Sequence, residues 1–203
     1  MTIYFVRCML FAALFLGLPT FATLVQAQID VPEVPADIHV PAGFSAFVKG
    51  HAIGTQNYIC LAQKKEKDFV WRFMGPQATL FLTLPNGQMQ QVTTHFLSAN
   101  PENGLLQPTW QHSGDTSSVW GRVKPSTNPV SVDPGAIPWL LLEVTAAQEG
   151  PSGGDFMTEA VFIHRLNTTG GLAPSTGCSE PADIGAVRFV PYTADYFFYR
   201  ADQ

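Results

Sequence analysis

Thr79-Leu80-Phe81-Leu82-Thr83-Leu84-Pro85-Asn86-Gly87-Gln88-Met89-Gln90-Gln91-Val92-Thr93-Thr94-His95-Phe96 is the stretch that decides the fold. Two runs rich in β-branched and apolar residues flank Pro-Asn-Gly, and Asn-Gly tolerates the positive φ angles that a tight hairpin demands. Strands at 79–84 and 89–96 joined by a turn follow from that pattern. The same motif repeats outward in both directions, as short apolar runs separated by Gly, Pro, Asn and Asp. Further strands are predicted at 44–48, 58–62, 69–73, 108–112, 118–123, 139–144, 159–167, 186–190 and 195–199. The expected fold class is all-β, an antiparallel sandwich or barrel of about ten strands with long loops and little helix. The loops at 98–106, 124–137 and 146–154 are longer and rich in Gly, Pro or Asn, and long loops on a rigid β scaffold are where binding groups tend to sit.

The chain begins with a signal-peptide layout. Arg7 precedes an apolar run from Cys8 to Leu18, Pro19 interrupts it, and Val25-Gln26-Ala27 offers small residues where a signal peptidase needs them. Residues 1–27 are therefore expected to be cleaved between Ala27 and Gln28, because the run is shorter than the roughly 20 residues a spanning helix requires. No membrane span is expected after cleavage, and the protein is expected to be secreted or periplasmic. Residues 28–41 carry three prolines in extended spacing and read as an arm laid along the domain or a short tether. Residues 42–203 are then a single β domain, since the mature length suits one core rather than two.

Without Arg7, ten basic residues face sixteen acidic ones, a net charge of −6. That sign opposes a phosphate backbone, so no nucleic-acid partner is expected. Lys64, Lys65 and Lys67 alternate with Glu66 and Asp68 in what reads as a solvated turn. Cys8 leaves with the signal peptide, and Cys60 and Cys178 remain. In an oxidising compartment the simplest outcome is one disulfide closing a long loop. Neither cysteine belongs to a Cys-x-x-Cys motif or has a histidine at zinc-finger spacing, so no metal site is expected there.

A family resemblance spans nearly the whole mature chain. Its residues are Tyr58-Ile59-Cys60, Trp71, His95-Phe96, Pro108-Thr109-Trp110-Gln111, Val119-Trp120-Gly121, Ile137-Pro138-Trp139-Leu140-Leu141-Leu142, Arg165-Leu166-Asn167-Thr168, Gly170-Gly171, Ala173-Pro174, Cys178 and Pro191-Tyr192-Thr193-Ala194-Asp195-Tyr196. In combination and order they resemble the secreted proteins grouped as domain of unknown function 3455, DUF3455. The resemblance implies an extracytoplasmic, mainly β domain with no agreed activity or cofactor. Position 164 is a departure, since the family pattern more often has glutamine where this chain has His164. Some fungal relatives carry a malate dehydrogenase label, but this chain lacks the Gly-x-Gly-x-x-Gly turn that cradles a nicotinamide cofactor.

Reactive side chains are densest in Thr109-Trp110-Gln111-His112-Ser113-Gly114-Asp115-Thr116-Ser117-Ser118-Val119-Trp120. Ser113-Gly114-Asp115 reads as a hairpin turn, and alternation puts Trp110 and His112 on one face and Thr109 and Gln111 on the other. His112 could meet Asp115 or Ser117 at the tip and serve general-base chemistry; a capped turn with an exposed histidine is the simpler reading. His95, His112 and Asp115 are the catalytic candidates. His95, His112 and Glu143 have the composition of a divalent-metal site but lack its usual short spacing, so no metal or other cofactor is expected.

The aromatics suggest a second kind of function. Trp110, Trp120, Trp139, Tyr192 and Tyr196 exceed what turns and edges require, and those near loop ends could form a stacking cleft with Asp195 as a polar handle. The leading expectation is an exported β protein that binds a small molecule, glycan or envelope component in a loop-rimmed aromatic cleft. The alternatives are a hydrolase or lyase using His112, Asp115 and His95, with or without a divalent metal, and a structural envelope protein whose aromatics are all core. Buried aromatics with no cavity would favour the last.

Overall fold

A computed structural model describes residues 29–63, 68–127 and 129–202. The expected signal peptide and the 64–67 part of the lysine-rich turn lie outside the described residues. The fold is a closed antiparallel barrel of eight strands that follow the chain in order around the ring. They are β1 (Phe44–Ala62), β2 (Phe69–Thr83), β3 (Met89–Ala99), β4 (Leu106–His112), β5 (Ser118–Val123), β6 (Leu140–Gln148), β7 (Phe162–Gly170) and β8 (Val187–Ala201). β8 closes the ring by pairing with β1 from Phe44↔Ala201 to Ile59↔Val187. Helix is confined to three 3-10 turns among the described residues, Ala36–Ile38, Phe156–Glu159 and Pro181–Asp183.

The all-β expectation holds, and the strand count corrects to eight because three long strands read as pairs. The signals that split them were glycine and proline. Gly50 and Gly54 lie inside β1, and at Gly54 an added Cβ would stand 2.2 Å from the Gln77 carbonyl oxygen, so only glycine permits that approach of β1 to β2. Pro76 in β2 and Pro191 in β8 lie beside register shifts in the adjoining ladders. The Pro191 carbonyl faces the β7 side, where it accepts from Gly171 N at 3.0 Å. Its missing N–H therefore faces the same side and takes nothing from the β8–β1 ladder. In the 85–87 turn only Gly87 has positive φ (81°), and Asn86 instead accepts from Gln88 N through its side chain.

Alternation sorts the walls into two cores. The inward set includes Ala52, Leu80, Trp110, Leu142, Ile163 and Tyr196, all packed inside the barrel. The outward set on β6, β7 and β8 (Leu141, Phe162, Leu166, Phe197 and Tyr199) would be exposed if the proline-rich arm did not cover it. Ile38 of the arm is fully buried there, with Val31, Val34 and Val40 packed alongside. His164 fastens the arm: Nε2–H donates to the Ile38 carbonyl at 2.6 Å, and Nδ1 accepts from the Tyr199 hydroxyl at 2.8 Å.

The two barrel ends differ. At one, the Phe156–Glu159 turn inserts fully buried Met157 into the inner core as a plug. At the other, the 136–139 segment and Gly171 approach the strands through Thr168 Oγ1–H to Ile137 O (2.6 Å) and Tyr58 O–H to Gly171 O (2.7 Å). The Cys60–Cys178 disulfide ties the end of β1 to the loop preceding β8.

Candidate functional site

A cavity of about 200 Å³ occupies the barrel end away from the Met157 plug. Its apolar lining comes from Trp110, Leu140 and Leu142, with Pro76 and Pro108, while Phe73 and Val123 reach solvent at its mouth. The polar groups facing it are Gln56, His95, Tyr196 and Arg165. At roughly 30 Å³ per water it has room for six or seven waters, below the roughly 300 Å³ at which sites for drug-sized ligands begin. A larger, open groove of about 410 Å³ beside the disulfide, between Phe69–Trp71 and residues 173–179, contains no titratable side chain.

His95 sits at the cavity wall, 4 % exposed and stacked on Trp110. Its Nδ1 is 2.9 Å from the Thr109 carbonyl, which can only accept, so the proton is on Nδ1 and Nε2 keeps a lone pair. Burial pushes the imidazole down, the Thr109 bond opposes this, and the Arg165 charge adds to the push, leaving a pKa of about 3. His95 is therefore neutral at ordinary pH. Tyr196 is 1 % exposed, its ionisation pushed up by burial and partly offset by the charge of nearby Arg165 and a hydrogen bond to it. Its hydroxyl lies 3.4 Å from that of Tyr192.

Arg165 is the residue that sequence reading passed over as a site group. It shares an inward parity with Ile163, and its β-sheet partners Leu140 and Tyr196 also point inward. A charged residue on the apolar face of a strand is the signal that could have found it.

His112, Asp115 and Ser117 do come together, at the plug end. Asp115 Oδ1 accepts from His112 Nδ1–H (2.8 Å), Ser117 N–H (3.0 Å) and Ser117 Oγ–H (2.7 Å), while Oδ2 accepts from Phe156 N–H (2.9 Å). Ser117 Oγ in turn accepts from Met157 N–H at 3.0 Å. The arrangement is a star centred on Asp115, in contrast to a Ser–His–Asp relay, in which the serine proton goes to histidine. Burial works upward on Asp115, but the bonds from Ser117, Phe156 and His112 override it and hold the carboxyl below its ordinary range. These bonds anchor the Met157 plug.

The other candidates disperse. Glu143 faces outward and pairs with Arg122 (2.6 Å), whereas His95 faces inward, so the barrel wall separates them. Among the described residues no group of three or more His, Cys, Asp or Glu side chains could hold a metal ion. Trp120 is buried on the outer wall, donating from Nε1 to Ser98 Oγ at 2.8 Å. Trp139 packs in the outer core beneath the arm. Asp195 lies on the outer face of β8, accepting from His51 (2.8 Å), Asn167 (3.0 Å) and Lys49 (3.3 Å). Of the six expected ligand-binding residues, Trp110 and Tyr196 line the cavity and Tyr192 adjoins it.

Fold and site together define a small closed β-barrel, plugged at one end and carrying a compact, partly polar cavity at the other. The chain belongs to the family described as protein of unknown function (DUF3455), which it matches over residues 41–200. No curated protein and no solved structure matches it. Among the described residues no helix is long and apolar enough to cross a membrane.

Proposed function

We propose that this is an exported binding protein that takes one small molecule into the open end of its barrel. The observation that carries the reading is the cavity: the aromatics are mostly buried, yet space remains between Trp110, Tyr196, His95 and Arg165. A purely structural barrel gains stability by filling such a space, since each buried void forfeits packing. Export is supported by the signal-peptide layout and by a disulfide joining Cys60 to Cys178. A glycan platform has less support, because neither Trp110 nor Trp120 is exposed and Trp139 packs beneath the arm.

The hydrolase or lyase reading has one observation in its favour, the His112–Asp115 hydrogen bond at 2.8 Å. Against it, the Ser117 proton points to Asp115, and the hydrogen bond of His95 goes to the Thr109 carbonyl. Protein-observed NMR against a library of small fragments separates the readings. The binding reading expects shifts concentrated at the Trp110 indole and the Tyr196 ring. Shifts confined to the His112 hairpin, or none anywhere, would overturn it.

A further inference from the structure

We infer that the ligand of this cavity is a compact organic monocarboxylate whose anionic end is held by Arg165. The inference rests on the cavity being the binding site and adds the chemical class of what it holds.

The Arg165 guanidinium uses one edge of its fork on protein. Nε–H and Nη2–H both donate to the Pro138 carbonyl, at 3.2 and 2.8 Å. That pair of bonds fixes the plane of the group; of the remaining Nη hydrogens one is shared with the Tyr196 hydroxyl, and the others are left for a ligand. Among the described residues no carboxylate lies within ion-pair distance of Arg165, whereas Lys49, Arg122 and Arg200 each meet one. The cavity lining contains no Asp or Glu. A guanidinium held partly out of water with no carboxylate beside it is a ready partner for an anion that enters the chamber.

Trp110 adds an independent observation. Its indole is 1 % exposed, and Nε1–H finds no acceptor among the described residues. A buried indole N–H normally has a partner. Of the groups facing the chamber, Arg165 brings the charge and free N–H donors, while neutral His95 keeps the Nε2 lone pair. A carboxylate supplies two oxygens with about four lone-pair positions and the missing negative charge, and its planar geometry suits the guanidinium fork. A neutral amide or alcohol leaves the Arg165 charge unbalanced, and a cation is repelled by it. The apolar walls of Trp110, Leu140 and Leu142 call for a compact apolar body behind the carboxylate, and the volume of about 200 Å³ limits it to one small ring or a short branched chain.

The test uses the mature protein with benzoate, benzamide and toluene as probes, read by calorimetry and by the Trp110 indole N–H resonance. Benzoate is expected to bind at least tenfold more tightly than benzamide, the increment expected of a charge-assisted pair. Arg165→Met is expected to abolish that preference while leaving toluene binding intact, and Arg165→Lys to restore part of it. Equal binding of benzoate and benzamide to the unmodified protein would overturn the carboxylate assignment and leave the cavity reading standing. If no probe, toluene included, moves the Trp110 resonance, both readings fall. The comparison of probes on the unmodified chain decides the question even where Arg165→Met fails to fold.

Discussion

The imidazole of His95 lies flat on the indole of Trp110, with ring centroids 4.3 Å apart and planes inclined by 8°. Tyr196 meets both rings edge-on, at 5.2 and 5.6 Å, so three side chains from β3, β4 and β8 form one wall of the cavity. Stacking of this kind holds His95 dry and neutral.

Acid should destabilise the protein through this contact. The unfolded histidine titrates near 6.5 and the folded one near 3, mainly because of burial. The stability it contributes is complete above pH 6.5 and is lost as pH falls through that window. At roughly 1.4 kcal/mol per unit the loss is on the order of 4 kcal/mol by the bottom. Urea unfolding at pH 7, 5.5 and 4 measures it, and His95→Phe should flatten the slope.

His164 is the second source of acid sensitivity. Burial drives its ionisation down, against the Ile38 hydrogen bond and with a small push from His39, so its contribution too is lost as pH falls below 6.5. Glutamine can donate to the Ile38 carbonyl without titrating. His164→Gln should therefore keep the arm docked and reduce the pH slope, whereas His164→Leu leaves a buried carbonyl short of its donor at a cost of about 1–3 kcal/mol. Limited proteolysis of residues 29–40 at pH 7 and pH 5 distinguishes the two variants.

Asp115 should prove a structural residue. Asp115→Asn turns an acceptor of charge-assisted bonds into a neutral group and should cost about 1.5–3 kcal/mol. Hydrogen exchange at the Phe156 and Met157 amides, which bond Asp115 and Ser117, should rise with it. Exchange unchanged at those amides would show that the plug is held by Met157 packing alone.

Reducing the disulfide should lower stability by about 2–4 kcal/mol, since Cys60 and Cys178 are 118 positions apart and the bond constrains a long loop of the unfolded chain. Thermal melts with and without reductant, compared with a Cys60→Ser/Cys178→Ser variant, measure it. The variant and the reduced protein should melt together.

Much of this architecture was legible in short-range patterns. β5 begins and ends at the residues read from sequence, Ser118 and Val123, because turn residues bound it closely on both sides. Alternation also separated Trp110 from Thr109 and Gln111, but which face turned inward came from the closed ring. Strand continuity was not legible. Gly54 and Pro191 look like breaks until the neighbouring strand shows that one admits a close approach and the other loses no ladder bond. Cavity membership was less legible still, because it depends on which strands close the ring. Arg165 was visible as a charge on a core face, but its lack of a counter-charge is a property of eight strands at once. Asp195, by contrast, has the chemistry of a ligand handle and spends it on His51, Asn167 and Lys49 across the outer wall.

The pairing of Phe44 with Ala201 has a consequence for how the molecule comes to exist. The first strand cannot complete its second ladder until the last has been made, so nearly the whole sequence must be gathered before the ring shuts. Such long-range closure is slow compared with helix or hairpin formation. Under the proposed export, that delay would favour a chain that has to cross a membrane before it folds.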